Sequence, residues 1–148
     1  MLRNVNIDDK NITFYWANDP LIRKYSINKL KISFADHLNW LHNKINDIDS
    51  EYYILELNGK PIGSIRFDEL LSKNSKINYL IDSSYFGKGY GKYILDEGIK
   101  KLKDKFPDIT SVYGVVFKQN IASLKIFKKL NFEIQENSDS KIIYKKNI

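Results

Sequence analysis

The chain has 148 residues, 28% of them charged, a net charge of +6 and no cysteine. That length predicts one domain over residues 1–148, burying about 68–70% of the surface its unfolded chain exposes, and the lack of cysteine excludes disulfides, thiolate metal sites and a cysteine nucleophile while fitting a reducing cytoplasm. The lysines are spread along the chain, which predicts solvated faces and a field that steers a polyphosphate ligand inward, not a nucleic-acid patch. No apolar run approaches the ~18 residues of a membrane span, and Met1-Leu2-Arg3-Asn4-Val5-Asn6 turns polar too early for a signal peptide.

Leu2 to Asn6 reads as a short strand. Asp8 or Asp9 caps a helix through Trp16-Ala17, broken by Asn18-Asp19-Pro20, and a second short helix runs through Leu21-Ile22-Arg23-Lys24. Ser33 suits the N-cap of a longer helix, Phe34 to Ile45, in which Phe34, Leu38, Leu41 and Ile45 recur at helical spacing. The pattern then turns to strands. Tyr52 to Leu57 and Pro61 to Phe67 flank Asn58-Gly59, a strong hairpin signal. A strand from Lys76 to Asp82 precedes a glycine-rich turn, and the helix after it, Tyr93 to Leu102, ends before Pro107. A strand from Thr110 to Phe117, a helix from Ile121 to Lys129, and strand-like runs at Phe132-Glu133-Ile134 and Lys141 to Tyr144 complete the chain. With the short second helix counted with the first, the order is β-α-α-β-β-β-α-β-α-β-β. An antiparallel meander followed by a βαβ crossover predicts a mixed α/β sheet.

The turn is Tyr85-Phe86-Gly87-Lys88-Gly89-Tyr90-Gly91-Lys92. Three alternate glycines between a strand and a helix clear side chains from a turn, so that backbone N–H groups can approach an anion at a helix N-terminus. Lys88 and Lys92 add to that preference. The spacing is neither that of a Walker A loop, Gly-x-x-x-x-Gly-Lys-Ser/Thr, nor that of a dinucleotide fingerprint, Gly-x-Gly-x-x-Gly. A protein-kinase loop would need a lysine strand and a catalytic loop that are absent.

Phe86-Gly87-Lys88-Gly89-Tyr90-Gly91 resembles the acetyl-CoA loop of the GNAT family of N-acetyltransferases, Arg/Gln-x-x-Gly-x-Gly/Ala. The segment Asn120 to Phe132 is similar to that family's Asn-x-x-Ser/Ala-x-x-x-Tyr/Phe-x-x-x-Gly-Phe, in the family's order and at about its separation. Phe86 and Asn131 depart from the pattern; Phe86 stands where backbone does the binding, and asparagine tolerates the left-handed conformation that ends a helix. The resemblance implies a mixed, mostly antiparallel sheet of about six or seven strands flanked by about four helices, and acetyl-CoA as cofactor. It implies that Phe86, Gly87, Lys88, Gly89, Tyr90, Gly91 and Lys92 hold the pyrophosphate. The pantetheine arm would lie in a split beside the preceding strand, partnered by the backbone of Leu80, Ile81 and Ser83, with an N–H near Ile81 polarising the thioester. Asn120, Ser123 and Phe127 would form the other lip.

The implied reaction is direct attack of a primary amine on the thioester. Neutralising an alkylammonium at pH 7 costs about 4–5 kcal/mol, because its pKa is about 10.4. The candidate bases are Asp68, Glu69 and Asp82; the alternative is a relay water held by Asn78 and Tyr79 in their place. Phe127 stands where many relatives use a tyrosine to protonate the departing thiolate, and phenylalanine cannot donate. That leaves Tyr113, Tyr85 or water.

Trp16-Ala17-Asn18-Asp19-Pro20-Leu21-Ile22-Arg23, then His37-Leu38-Asn39-Trp40, resembles the branch of the family that acetylates nucleotide-linked amino sugars of the pseudaminic acid type. A similar pattern occurs in relatives that acetylate ribosomal-protein N-termini. The acceptor residues this implies are Asn18, Arg23, His37, Trp40 and Arg66: the arginines for a diphosphate, Trp40 or Trp16 for stacking, His37 for a hydroxyl. The two histidines, His37 and His42, are spaced poorly for one metal site, so none is expected. The expected partner is a small-molecule amine, not nucleic acid or membrane, for a monomer or homodimer; a protein N-terminus, a polyamine, or a silent acetyl-CoA-binding module are the alternatives.

Overall fold

The computed structural model describes residues 1–26 and 30–148. Its strands are β1 (Leu2–Asn4), β2 (Glu51–Leu57), β3 (Lys60–Asp68), β4 (Asn74–Ile81), β5 (Ser111–Phe117), β6 (Glu133–Asn137) and β7 (Lys141–Asn147). Its helices are α1 (Lys10–Asn18), α2 (Pro20–Arg23), α3 (Phe34–Ile45), α4 (Tyr90–Lys105) and α5 (Ile121–Lys129). The strands form one sheet in the order β1-β2-β3-β4-β5-β7-β6, antiparallel except at β4–β5. This is the mixed, mostly antiparallel sheet expected from the sequence; the fifth helix is the short α2.

Local chemistry explains the element ends. Asn58 (φ 53°) and Gly59 (φ 78°) both take positive φ, as a two-residue hairpin loop between right-twisted strands demands. Ser33 Oγ accepts from the amide of Asp36 at 3.1 Å and starts α3. Asn131 ends the turn after α5 at φ 64°. The first helical turn begins earlier than expected: Asn6 Oδ1 accepts from the amide of Asp8 at 2.9 Å and Asp9 Oδ2 accepts from that of Asn6 at 2.9 Å, a reciprocal box that caps a single 3-10 turn, Ile7–Asp9. The helix after the glycine turn also starts three residues early, at Tyr90.

The pleat sorts β3 and β4 onto two faces. Ile65 and Phe67 point toward α4, where a Cβ on Gly98 would lie 2.9 Å from Ile65 Cδ1. They join a core with Ile77, Ile94, Leu95, Leu102, Phe127 and Tyr144. Arg66 and Asp68 point to the other face, which α1 and α3 cover with Trp16 and Leu41, packed against Tyr52 and Ile54 of β2. The register Arg66↔Asn78 and Ile65↔Tyr79 carries the sorting into β4. Asn78 and Leu80 therefore belong to the α1/α3 face, Tyr79 and Ile81 to the α4/α5 face.

The parallel ladder between β4 and β5 is short. It pairs Asn74↔Ser111, Ser75↔Val112 and Lys76↔Tyr113 and then stops. Beyond it, β4 keeps β3 on one side and β5 keeps β7 on the other, along residues Ile77–Ile81 and Gly114–Phe117. The strands part in the middle of the sheet.

Candidate active site

The parting strands enclose a cavity of about 360 Å³. Asn78, Tyr79 and Leu80 line it from β4, Val115, Val116 and Phe117 from β5, and Asn120, Ser123 and Phe127 from α5 and its cap. Asp82 N–H donates to the carbonyl of Ile62 across β3 at 2.8 Å. Amide directions alternate along a strand, so the N–H of Ile81 faces the opening instead. An extended chain laid here finds strand backbone and no competing ladder.

Above the opening, Asp82 Oδ1 accepts from the amide of Ser84 at 2.9 Å and starts the single 3-10 turn Ser83–Tyr85. Gly87 (φ 75°) and Gly89 (φ 87°) then take the left-handed conformation, Gly89 as the residue just before α4. A Cβ at either position would meet nothing within 4 Å, so no protein group fills the space beside the amides that open α4. These residues fit an anionic cofactor seated on a helix N-terminus. Gly91 has a different reason: a Cβ there would lie 2.8 Å from Ile126 Cδ1, so its small size lets α4 approach α5. Lys88 sits over the Tyr85 ring at 5.5 Å, and Tyr90 packs edge-on against Tyr85. Asn120 Oδ1 accepts from the amide of Ser123 at 3.3 Å and caps α5 at the cavity's far lip.

The three candidate carboxylates are all engaged. Asp68 accepts from Lys44 (3.1 Å), Ser50 (2.8 Å), Arg66 (3.0 Å) and Asn78 (3.0 Å). Burial pushes its carboxyl up, but the Arg66 charge and these bonds outweigh it and hold the group below the usual carboxylate range. Glu69 accepts from the Tyr113 hydroxyl. Asp82 accepts from Trp16 Nε1 at 2.9 Å, and its bonds outweigh burial to keep it low. None of the three lines the cavity. Asn78 and Tyr79 do, but adjacent strand residues point to opposite faces, so the two cannot hold one relay water: Asn78 Nδ2 reaches Asp68, and the Tyr79 hydroxyl meets that of Ser123.

Of the tyrosines expected to serve the thiolate, Tyr113 is bound to Glu69, its phenol pushed up to about 12 by burial and that carboxylate. Tyr85 packs on Tyr90 outside the cavity.

The residues expected at the acceptor side all make contacts within the fold. Asn18 clamps Ile32 through both backbone groups, at 3.0 and 2.8 Å. Arg23 Nη1 donates to the carbonyl of Ala17 (2.8 Å) and Nη2 to that of Leu30 (2.7 Å), holding together the chain around α2. His37 is buried between Phe14 and Trp40, with Nε2 at 2.8 Å from Thr13 Oγ1. That hydroxyl already donates to the carbonyl of Asp9, so it accepts from His37, and burial lowers the imidazole pKa. Trp16 is fully buried. Arg66 lies over the rings of Trp40 (5.0 Å) and Tyr52 (5.7 Å) and is paired with Asp68.

A second cavity, about 560 Å³, adjoins the first and shares Tyr25, Ser26 and Phe117 with it. Lys24, Lys118, Gln119, Asp139 and Ser140 complete its wall, which joins the chain after α2 to the β6–β7 turn. None of these residues stands out in the sequence, because they come from three distant loops and carry no spacing signal.

Three comparisons bear on this arrangement. The chain matches the family described as acetyltransferase (GNAT) domain over residues 1–133. It is 27% identical over 133 residues to the acetyltransferase PseH of Campylobacter jejuni, covering 89% of this chain and 82% of that protein. Its fold superposes on the crystal structure of C. jejuni PseH with a TM-score of 0.76 at 20% identity (99% and 96% of the two chains). It also superposes on spermidine N-acetyltransferase from Vibrio cholerae, solved in complex with CoA and spermine, at 0.86 and 14% identity (100% and 94%).

Proposed function

This chain belongs to the GNAT acetyltransferase family, and from that membership we propose that it transfers the acetyl group of acetyl-CoA to the primary amine of a nucleotide-linked amino sugar. Acetyl-CoA supplies an activated thioester; everything else falls to residues of this chain. In this reading the amides of Phe86 to Gly91, with Lys88 and Lys92 beside them, hold the pyrophosphate. The backbone of Ile81 and Ser83 holds the pantetheine arm from one side, Asn120 and Ser123 from the other; the backbone of Leu80, expected to share that task, faces β3 instead. The Ile81 N–H is the donor for the thioester oxygen, a role worth about 3–4 kcal/mol where such donors have been removed.

The acceptor amine arrives from the α1/α3 face. Asn78 is the residue we place beside it. Its Nδ2 is fixed on Asp68 at 3.0 Å, which leaves Oδ1 to accept from the amine or from a water that takes the amine's proton. Asp68, anchored by Lys44 and Arg66, positions Asn78 and stays ionised; we do not assign it the base.

The observation that carries the choice of acceptor is the charge of the second cavity. Lys24 and Lys118 face one carboxylate, Asp139, beside the rings of Tyr25 and Phe117. Two ammonium groups favour a diphosphate, and aromatic rings favour a base or a sugar face. A polyamine acceptor would call for the opposite charge. The likeness to PseH over 89% of the chain supports the same reading. Both substrates are cytoplasmic metabolites, so we place the reaction there, and one chain supplies every element named.

The experiment offers nucleoside-diphosphate amino sugars, spermine and an N-terminal peptide in parallel, reads thiol release, and identifies the acetylated product by mass spectrometry. Turnover of the sugar nucleotide alone, with its KM raised about tenfold or more by Lys24→Glu or Lys118→Glu and acetyl-CoA affinity unchanged, supports the proposal. Acetylation of spermine or peptide in its place overturns it.

A further inference from the structure

We propose that Tyr79, hydrogen-bonded to Ser123, is the group that protonates the departing sulfur, in place of the tyrosine that Phe127 displaces. The inference rests on acetyl transfer from acetyl-CoA and is independent of which amine receives the acetyl group.

Three observations carry it. Phe127 is buried in the cavity wall with Cζ directed at Gly114, where a Cβ would lie only 2.6 Å away. It offers no proton at the point where β4 and β5 part. Tyr79 points to the same face of the sheet. Its ring centroid is 6.2 Å from that of Phe127, and its hydroxyl crosses beneath the opening from β4 to reach Ser123 Oγ on α5. Ser123 stands one helical turn before Phe127, so both line one face of α5. The hydroxyl pair is thus built into the floor of the opening, between the strand that would hold the thioester and the helix that lacks the tyrosine.

The remaining tyrosines are placed elsewhere. Tyr113 and Tyr85 are accounted for above, and among the described residues lining this cavity the only other titratable groups are Tyr25 and Lys76. Burial pushes the Tyr79 phenol upward, so it holds its proton at neutral pH.

The amine nitrogen forms a bond to the carbonyl carbon, the carbon–sulfur bond breaks, and sulfur leaves with the bonding pair. Tyr79 Oη gives sulfur its proton while Ser123 Oγ donates to Oη, and the pair is refilled from water through Ser123. The proton the attacking neutral amine loses goes to water at Asn78 and balances the one drawn in through Ser123; the proton shed earlier by the ammonium form is released to solvent.

The first test needs no turnover. Coenzyme A labelled with carbon-13 beside sulfur is titrated by NMR in its complexes with the wild type, Tyr79→Phe and Tyr113→Phe. A phenol that donates to sulfur stabilises the thiolate, so the thiol in the wild-type complex should titrate about one unit below that in Tyr79→Phe, and Tyr113→Phe, whose phenol is bound to Glu69 outside the cavity, should match the wild type. The second test is kinetic, on whichever amine is turned over. Tyr79→Phe should lose about a hundredfold in kcat with little change in the KM for acetyl-CoA. Tyr79→Phe combined with Phe127→Tyr should recover much of the loss, because it returns a phenol to the same floor. Equal thiol midpoints in wild type and Tyr79→Phe, or an undiminished kcat in a folded Tyr79→Phe, overturn the assignment. An inactive wild type toward sugar nucleotides leaves the thiol titration readable and counts only against the acceptor.

Discussion

The indole Nε1 of Trp16 donates to Asp82 Oδ2 at 2.9 Å, joining α1 to the residue that starts the turn before the glycine loop. A parallel tie lies beside it: Ser83 Oγ donates to Asp19 Oδ2 at 2.9 Å, and the same carboxylate caps α2 by accepting from the Leu21 amide. The segment that shapes the acceptor side is therefore fastened to the segment proposed to hold the cofactor. Trp16→Phe removes one donor to a charged acceptor, at a cost of about 1.5–3 kcal/mol. The expected outcome is a Tm lowered by several degrees together with a severalfold weaker acetyl-CoA affinity, read by thermal melting and calorimetry. A lower Tm with unaltered affinity would show that the tie serves only the fold.

Gly89→Glu should abolish acetyl-CoA binding while the protein stays folded. The substitution forces a side chain into φ 87° and places a carboxylate in the open space next to the first amides of α4. Gly89→Ala shares the backbone strain without the charge, so it should lose about 1 kcal/mol of stability and retain part of the affinity. Calorimetry on both variants, with circular dichroism as the folding control, separates strain from charge.

Gly114→Ala should destabilise the protein by about 1–3 kcal/mol, because its Cβ would stand 2.6 Å from Phe127 Cζ in a packed core. The companion change Phe127→Leu opens that space. The two should be strongly non-additive: in the Gly114→Ala background, Phe127→Leu should cost much less than it costs alone. Urea denaturation of the four proteins of the cycle gives the coupling directly.

Acid should unfold the protein through three aspartates. Burial pushes Asp9, Asp68 and Asp82 upward, yet their bonds and neighbouring cations leave each below its ordinary value. For Asp9 the decisive partner is Arg3, whose guanidinium grips both carboxylate oxygens at 2.7 and 2.8 Å. A carboxyl whose pKa is depressed by folding adds stability that is fully present above its unfolded pKa, about 3.9, and is lost as pH falls through the folded value. Tm should therefore hold between pH 5 and 7 and fall steeply below about pH 4. Asp9→Asn should start from a lower Tm at pH 6 and show a smaller drop on acidification; an unchanged drop would remove Asp9 from the group.

Periodicity and turn chemistry made much of the scaffold legible. The helix Ile121–Lys129, the Ser33 cap and the Asn58-Gly59 hairpin depend on neighbours in the sequence, and they fall where expected. The glycine turn was readable for the same reason. The acceptor side was not, because the contacts of Arg23, Asn18 and His37 depend on how the chain folds back on itself, with partners 6 to 24 residues away. A guanidinium near a helix end satisfies loose carbonyls as readily as a diphosphate, and only the folded chain shows Leu30 and Ala17 at its fork. Lys24, Tyr25 and Lys118 went unnoticed because nothing in their local patterns distinguishes them from other surface lysines and tyrosines. The pairing of Asn78 with Tyr79 failed on pleat geometry, which assigns consecutive side chains to opposite sides once a strand is given a sheet to sit in.

The short parallel ladder at Lys76↔Tyr113 has one more consequence. Past that rung the molecule is two half-sheets sharing a hinge, each with a raw inner border. Whatever strand-like guest zips into the seam finishes the sheet and welds the halves. Hydrogen exchange at the inward amides of Tyr79 and Ile81 should then report the enzyme's loading state, fast when the seam is unfilled and slow once it is stitched.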